Sequence, residues 1–290
     1  MTPRPITSDT FACPDDWSVL EAVGEDAATF LNGFCTNDVL KLSDGENCEA
    51  FFTDPKARVL AFGWVCRTAD GCRVLLSSPG ANALLEHLDR YVLNAKVELS
   101  APEGTSVLLA GGPEQANIAA APLTAYGEGV FAYVSSQESI EALQRDLTEQ
   151  GRSLIDREEL EQLRILQGVP RDGVDVDQRN LPQEVDRNET AINFTKGCYL
   201  GQEPVARIDA MGSVQWLLRG LRAEEGALKP GEEIAHEGKV VARVTSATTI
   251  GAESFALAYV RKLLATPGSM IEREGGSAEV CALPFEKLEA

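Results

Sequence analysis

Residues 59–66, Val59-Leu60-Ala61-Phe62-Gly63-Trp64-Val65-Cys66, are almost wholly apolar, the pattern of a central strand covered on both faces. Asp70-Gly71 then supplies a common hairpin dipeptide, and the apolar-rich segment 72–77 follows it, which predicts an antiparallel pair. Residues 18–23 and 49–53 read as two more strands. Between them, 26–31 predicts a short helix with Asp26 at its positive end and Asn32-Gly33 closing it. Beyond Pro79-Gly80, the positions Ala81, Leu84, Leu85, Leu88, Tyr91 and Val92 trace the apolar stripe of an amphipathic helix, and 96–99 returns as a strand. Residues 1–15, rich in proline and without periodicity, predict an extended lead-in.

The alternation continues with a strand at 107–110, a helix at 113–121, a strand at 129–135 and a helix at 140–149. Leu160, Leu163, Ile165 and Leu166 mark an amphipathic helix over 156–167, ended by Gly168 and Pro170. Residues 171–194 are polar and loop-like. After Gly212 the pattern changes to six short apolar segments (214–222, 233–237, 239–247, 255–260, 270–273 and 279–283), separated by turns such as Pro230-Gly231 and Pro267-Gly268. Short strands at that spacing predict a small barrel. The class is therefore α+β, with one region over 1–212 and a β-barrel over 213–290.

Composition narrows the function. The 290 residues carry 44% hydrophobic and 24% charged residues, enough for a sizeable core. No apolar run nears the roughly 18 residues of a membrane span, and the first 30 residues lack the features of a secretory or transit leader, so the expected setting is cytoplasmic. Seven scattered cysteines with no CxxC pair argue against a disulfide framework, a zinc ribbon or a typical cluster site, and two histidines make a His-rich metal centre untenable. A net charge of −19 should repel nucleic-acid phosphates and anionic membranes, while a local basic pocket for a small anion stays open.

The chemistry concentrates in Thr195-Lys196-Gly197-Cys198-Tyr199-Leu200-Gly201-Gln202-Glu203-Pro204-Val205-Ala206-Arg207. Pro204 suits the first turn of a helix running towards Gly212. Cys198 then lies before a helix N-terminus and beside Lys196, and both favour the thiolate, the reactive form. A structural cysteine in a glycine-rich turn is the other reading.

KGCYLGQE resembles the signature of the YgfZ family, folate-binding relatives of the glycine-cleavage aminomethyltransferase (GcvT). The segments FLNGFCTNDV (30–39), DPKARVLAF (54–62), RYVLNAKVEL (90–99), RILQGVP (164–170) and LPQEVD (181–186) resemble the same family in order, and ALAYVRK and LPF resemble its closing barrel. The resemblance implies a GcvT-like ring of two α+β subdomains plus the barrel, and a cavity for tetrahydrofolate or a derivative. By resemblance, Glu184 takes the pterin edge with Asn37 and Asp38 near it. Lys196 and Arg207 supply positive charge, and Tyr91 or Tyr199 stacks on the rings. Gln202 and Glu203 complete the cofactor set, and Cys198 with Lys196 forms the reactive pair. No metal site is expected.

Three features depart from the family. Ala57 stands where it often has glycine, which argues against a left-handed turn there, and Asn94 stands where it often has a basic residue. Ala61-Phe62 replace the aspartate pair of the aminomethyltransferases, so glycine-cleavage activity is not expected. The expected function is a folate-binding accessory protein supporting iron–sulfur enzymes, including tRNA-modifying ones, with those enzymes or their assembly proteins as partners. A folate-dependent one-carbon transferase and a non-catalytic adaptor are the alternatives.

Overall fold

The structure is a computed structural model that describes residues 3–112, 118, 120–212 and 214–285. Its first sheet has five antiparallel strands in the spatial order Asn47–Thr53, Val59–Thr68, Gly71–Leu76, Ser18–Val23, Glu98–Ser100. The apolar run at 59–66 takes the second place, with Trp64 opposite Leu75 on one side and Glu49 on the other. One face of this sheet is covered by the helices Ala27–Asn32 and Ala81–Asp89, which bury Phe30, Leu31, Leu84 and Leu88.

The other face presents Val19, Trp64, Cys66 and Leu75 to a second sheet, whose Val107, Leu109, Ala132 and Val134 fill the space between the two. Trp17 stacks on Trp64 at 5.5 Å within this layer. The second sheet has the order Ser153–Ile155, Thr10–Ala12, Thr105–Gly111, Val130–Ser136, Ala120–Pro122. Helix Gln137–Glu149, N-capped by Ser136, covers its far side. Thr10–Ala12 is a strand inside the expected lead-in: it pairs in parallel with 153–155 and antiparallel with Leu109 and Ala110, contacts no local pattern announces. Most of the helix expected at 113–121 lies outside the described residues, and its end, Ala120–Pro122, is an edge strand.

All six segments expected after Gly212 are strands. Trp216–Ala223, Glu233–His236, Lys239–Ile250, Glu253–Arg261, Met270–Arg273 and Gly276–Cys281 form one sheet that curls until its edges meet, with Arg273 Nε 3.0 Å from Glu232 Oε1 across the seam. Its interior is apolar, with Leu221, Val244, Ala258 and Val280 among the buried groups. Its outer face packs Leu218, Phe255, Leu257 and Tyr259 against Phe51, Phe62, Val185 and Val205.

A buried ion pair bolts these parts together. Arg164, on helix Arg157–Leu166, bonds Asp175 at 2.6 Å, the Val169 carbonyl at 2.7 Å and barrel Ser246 at 2.7 Å. Removing one member of such a network leaves a buried charge without its partner, at a cost of about 3–5 kcal/mol. No helix among the described residues is long and apolar enough to cross a membrane.

Candidate functional site

Three elements meet around a cavity of about 510 Å³. The first is the turn 54–58, held by the Asp54 carboxylate, which accepts the backbone N–H groups of Lys56 and Arg58 at 2.8 Å each. Ala57 closes this turn at φ 62°, fully buried. The expectation that alanine argues against a left-handed residue is therefore wrong: the turn imposes the conformation, and packing against the core holds an alanine in it. A strain of about 1–2 kcal/mol accompanies a non-glycine residue there. The turn presents Arg58, whose guanidinium donates to the Arg179 carbonyl at 2.7 Å and lines the cavity.

The second element is the 3₁₀ helix Pro182–Val185. Glu184, which lines the cavity, accepts the Leu181 N–H at 3.0 Å through Oε2; this fixes the carboxylate, and among the described residues Oε1 has no hydrogen-bond partner. Burial pushes this carboxyl above the usual range, against the opposing pull of the Leu181 N–H and Arg58. The third element is the barrel wall, which contributes Trp216, Arg243, Thr245 and Tyr259. Arg243 and Arg261 lie 4.7 and 4.2 Å from the Trp216 ring centroid, close enough for cation–π attraction. Tyr259 gives its hydroxyl proton to the Asp175 carbonyl at 2.9 Å, so it offers the cavity an aromatic face. Arg58, Arg179 and Arg243 line this opening beside three carboxylates, Asp175, Glu184 and Glu233. Arg179 is paired with Asp177 at 2.5 Å and Arg243 with Glu233 at 3.0 Å, which leaves Arg58 as the lining arginine without a carboxylate partner among the described residues.

The signature segment contributes no lining residue to this cavity and packs instead on the turn at Asp54 and on the Pro182–Val185 helix. Lys196 is buried, and its ammonium donates to the carbonyls of Asn32 at 2.7 Å, Cys35 at 2.8 Å and Asn37 at 2.6 Å. Its three N–H bonds are thus committed to the end of the first helix, not to Cys198, and burial lowers its pKa. Tyr199 is buried with its ring 5.1 Å from that ammonium. Gly201 adopts φ 85°, and a Cβ there would come within 2.6 Å of the Asp54 carbonyl, so the site admits glycine alone. Helix Gln202–Met211 follows, and Gln183 reaches it by donating to the Val205 carbonyl at 2.7 Å. Cys198 is exposed.

Of the residues expected at the folate site, Glu184 alone lines this cavity. Asn37 is spent on the backbone: its amide donates to the carbonyls of Glu49 and Thr190, each at 2.8 Å, and accepts from Asp38 N–H at 2.9 Å. Asp38 faces Lys41 at 3.3 Å, and Tyr91 packs on Phe34, 4.9 Å between centroids. Glu203 and Arg207 are exposed on the helix, and Gln202 is half-buried at its start. The arginines that do line the cavity sit in turns and on a strand far apart in the chain, so no local pattern marks them. The barrel face could have been found from Trp216 and Arg243, an aromatic and a cation at positions where a strand alternates.

No family model matches the chain. The chain is 28% identical over 267 residues to the tRNA-modifying protein YgfZ of Escherichia coli O157:H7, covering 79% of each. The YgfZ of Edwardsiella ictaluri is 27% identical over 263 residues, covering 79% of this chain and 78% of that one. The resemblance to the YgfZ proteins is borne out. A chloroplastic putative transferase of Arabidopsis thaliana is 26% identical over 285 residues, and the chain spans 64% of that relative's length. Among solved structures, the glycine cleavage system aminomethyltransferase T of Bartonella henselae superposes with a TM-score of 0.82 at 17% identity, covering 98% of this chain and 88% of that one. The GcvT-like fold, two α+β subdomains with a barrel, is thereby shown.

Proposed function

We propose that the protein binds a reduced folate in the Glu184 cavity and acts as an accessory factor for iron–sulfur enzymes, among them enzymes that modify tRNA. The observation that carries the reading is the cavity's lining: the fixed Glu184 carboxylate, whose Oε1 has no hydrogen-bond partner among the described residues, the ring of Tyr259, and Arg58, with Arg179 and Arg243 beside it on their own carboxylate partners. A folate needs an acceptor for its amino-pterin edge, flat faces for its rings and cations for its glutamate carboxylates, and about 510 Å³ accommodates a ligand of that size. In this reading Arg58, with Arg179 and Arg243 exchanging their carboxylate partners for the ligand's, takes the role that the resemblance gave to Lys196 and Arg207. The relatives named tRNA-modifying proteins support the link to tRNA, and the acidic surface favours action through partner enzymes over direct contact with RNA.

In this reading Cys198 is the group offered to partners, since it is exposed on the signature segment while Lys196 anchors that segment from below. The test is complementation of a bacterial strain lacking its own YgfZ, read as the level of a tRNA modification made by an iron–sulfur enzyme. Wild type should restore it, and Glu184→Ala and Cys198→Ser should not. Full restoration by both variants would refute the accessory role assigned to this site.

A further inference from the structure

Asn180 stands on the same stretch as Glu184 and lines the same cavity. Its backbone is fixed on both sides: the N–H donates to the Asp177 carbonyl at 2.9 Å, and the carbonyl accepts the Val59 N–H at 3.1 Å. Its side-chain oxygen accepts the Asp177 N–H at 2.9 Å. A backbone N–H can only donate, so this bond sets the amide's orientation and turns the NH₂ group away from Asp177. Among the described residues that NH₂ has no partner. Among the described residues, the acceptor Glu184 Oε1 and the donor Asn180 Nδ2 are both without a hydrogen-bond partner, on two cavity-lining residues four positions apart on one fixed segment.

We infer that Asn180 is a specificity-determining residue, reading the carbonyl of a 2-amino-4-oxopyrimidine edge whose amino and ring N–H groups are taken by Glu184. Such an edge offers donor, donor and acceptor in a row, the complement of a carboxylate beside an amide NH₂. A 4-amino ring in place of the 4-oxo ring sets an N–H against the Asn180 N–H and also removes the ring N–H that Glu184 takes, so the part of the preference that changes between wild type and Asn180→Asp is the part that reports on Asn180. Sites built around a buried hydrogen bond reject the mismatched analogue far more strongly than apolar pockets reject a change of size. The inference rests on the folate reading for its ligand, but the same edge belongs to guanine, so the two sources need separate arms.

The test uses calorimetry on wild type and Asn180→Asp, with 5-formyltetrahydrofolate, the matched pair folic acid and aminopterin (4-oxo and 4-amino), and guanosine monophosphate. Asn180→Asp keeps the oxygen that anchors Asp177 N–H and replaces the free donor by an acceptor. A ratio of two affinities in one protein is insensitive to any loss of folded material. Wild type should favour folic acid over aminopterin by about tenfold or more, and Asn180→Asp should cut that preference about tenfold. Folates that bind with the same preference in both proteins would overturn the role of Asn180 and leave the folate reading standing. Guanosine monophosphate binding that Asn180→Asp weakens about tenfold, without folate binding, would uphold the edge and overturn folate as its source. Wild type that binds none of these ligands would overturn both.

Discussion

Replacing Lys196 by methionine removes a buried ammonium while nearly preserving side-chain length. In the native protein that ammonium donates to three carbonyls at 2.6–2.8 Å, those of Asn32, Cys35 and Asn37, which belong to the end of one helix and the loop after it. A hydrogen bond to a charged group contributes about 1.5–3 kcal/mol, so the three together contribute roughly 5–9 kcal/mol before desolvation is counted. Burying the ammonium costs several kcal/mol in return, a cost visible in its lowered pKa. The variant recovers that desolvation term but leaves the carbonyls short of a donor in a site water reaches poorly. The net loss should be about 3 kcal/mol, a large part of an ordinary domain's stability. Urea unfolding followed by tryptophan fluorescence reads this directly, as a lower midpoint at unchanged slope. A loss below about 1 kcal/mol would refute the reasoning, because it would mean that the carbonyls are as well satisfied without the lysine as with it.

Under limiting alkylating reagent at neutral pH, Cys198 should react first, since the competing thiols are protected: burial pushes Cys66 up to about 12, and burial with Asp15 nearby pushes Cys13 up to about 11. Peptide mass spectrometry that found either of them labelled ahead of Cys198 would contradict this. Folate affinity should fall on acidification from a pH above the ordinary carboxyl range, because the folded protein holds the Glu184 carboxyl above its usual value and protonation removes the acceptor. The same raised value means that Glu184 gives up stability as the pH rises through it and regains stability below it, so acid unfolding should not begin here. A flat affinity profile down to pH 4 would sink the assignment. Ala57→Val should destabilise by more than about 2 kcal/mol, since a β-branched residue resists φ 62° in a buried turn, whereas Ala57→Gly should stay within about 1 kcal/mol because relieved strain offsets a lost methyl and a more flexible unfolded chain. Equal midpoints for the valine variant and wild type would show that the turn relaxes.

Much of the fold could be read locally. The apolar run at 59–66, the Asp70-Gly71 hairpin, the stripe from Ala81 to Leu88 and the six segments after Gly212 each carry their own periodicity or turn chemistry, and each forms the element expected. The strands Thr10–Ala12 and Ser153–Ile155 could not, because each is three residues long and exists by pairing with the other across the chain. The site was legible in the same uneven way. Glu184 was legible only through the resemblance of Leu181-Pro182-Gln183-Glu184 to a family segment, since no local pattern marks it. Arg58, Arg179 and Arg243 look like ordinary surface arginines until tertiary structure gathers them around one cavity. Lys196 shows the converse: a lysine beside a cysteine suggests electrostatic activation, whereas the fold turns its ammonium to backbone carbonyls, a contact that no local pattern announces. Ala57 shows that a residue type alone does not fix a backbone angle when hydrogen bonds from Asp54 close the turn around it.

The most direct test of the account is calorimetric titration of 5-formyltetrahydrofolate into wild type and Glu184→Ala. The Glu184 carboxylate, which lines the cavity and has one oxygen without a partner among the described residues, is the feature on which the folate reading stands. Wild type should bind with one site per chain, and Glu184→Ala should weaken binding by roughly ten- to a hundredfold, the loss of about 1.5–3 kcal/mol for a hydrogen bond to a charged group. Equal affinity of the two proteins would contradict the placement of the ligand against Glu184, and an absence of binding to wild type would contradict the folate reading itself.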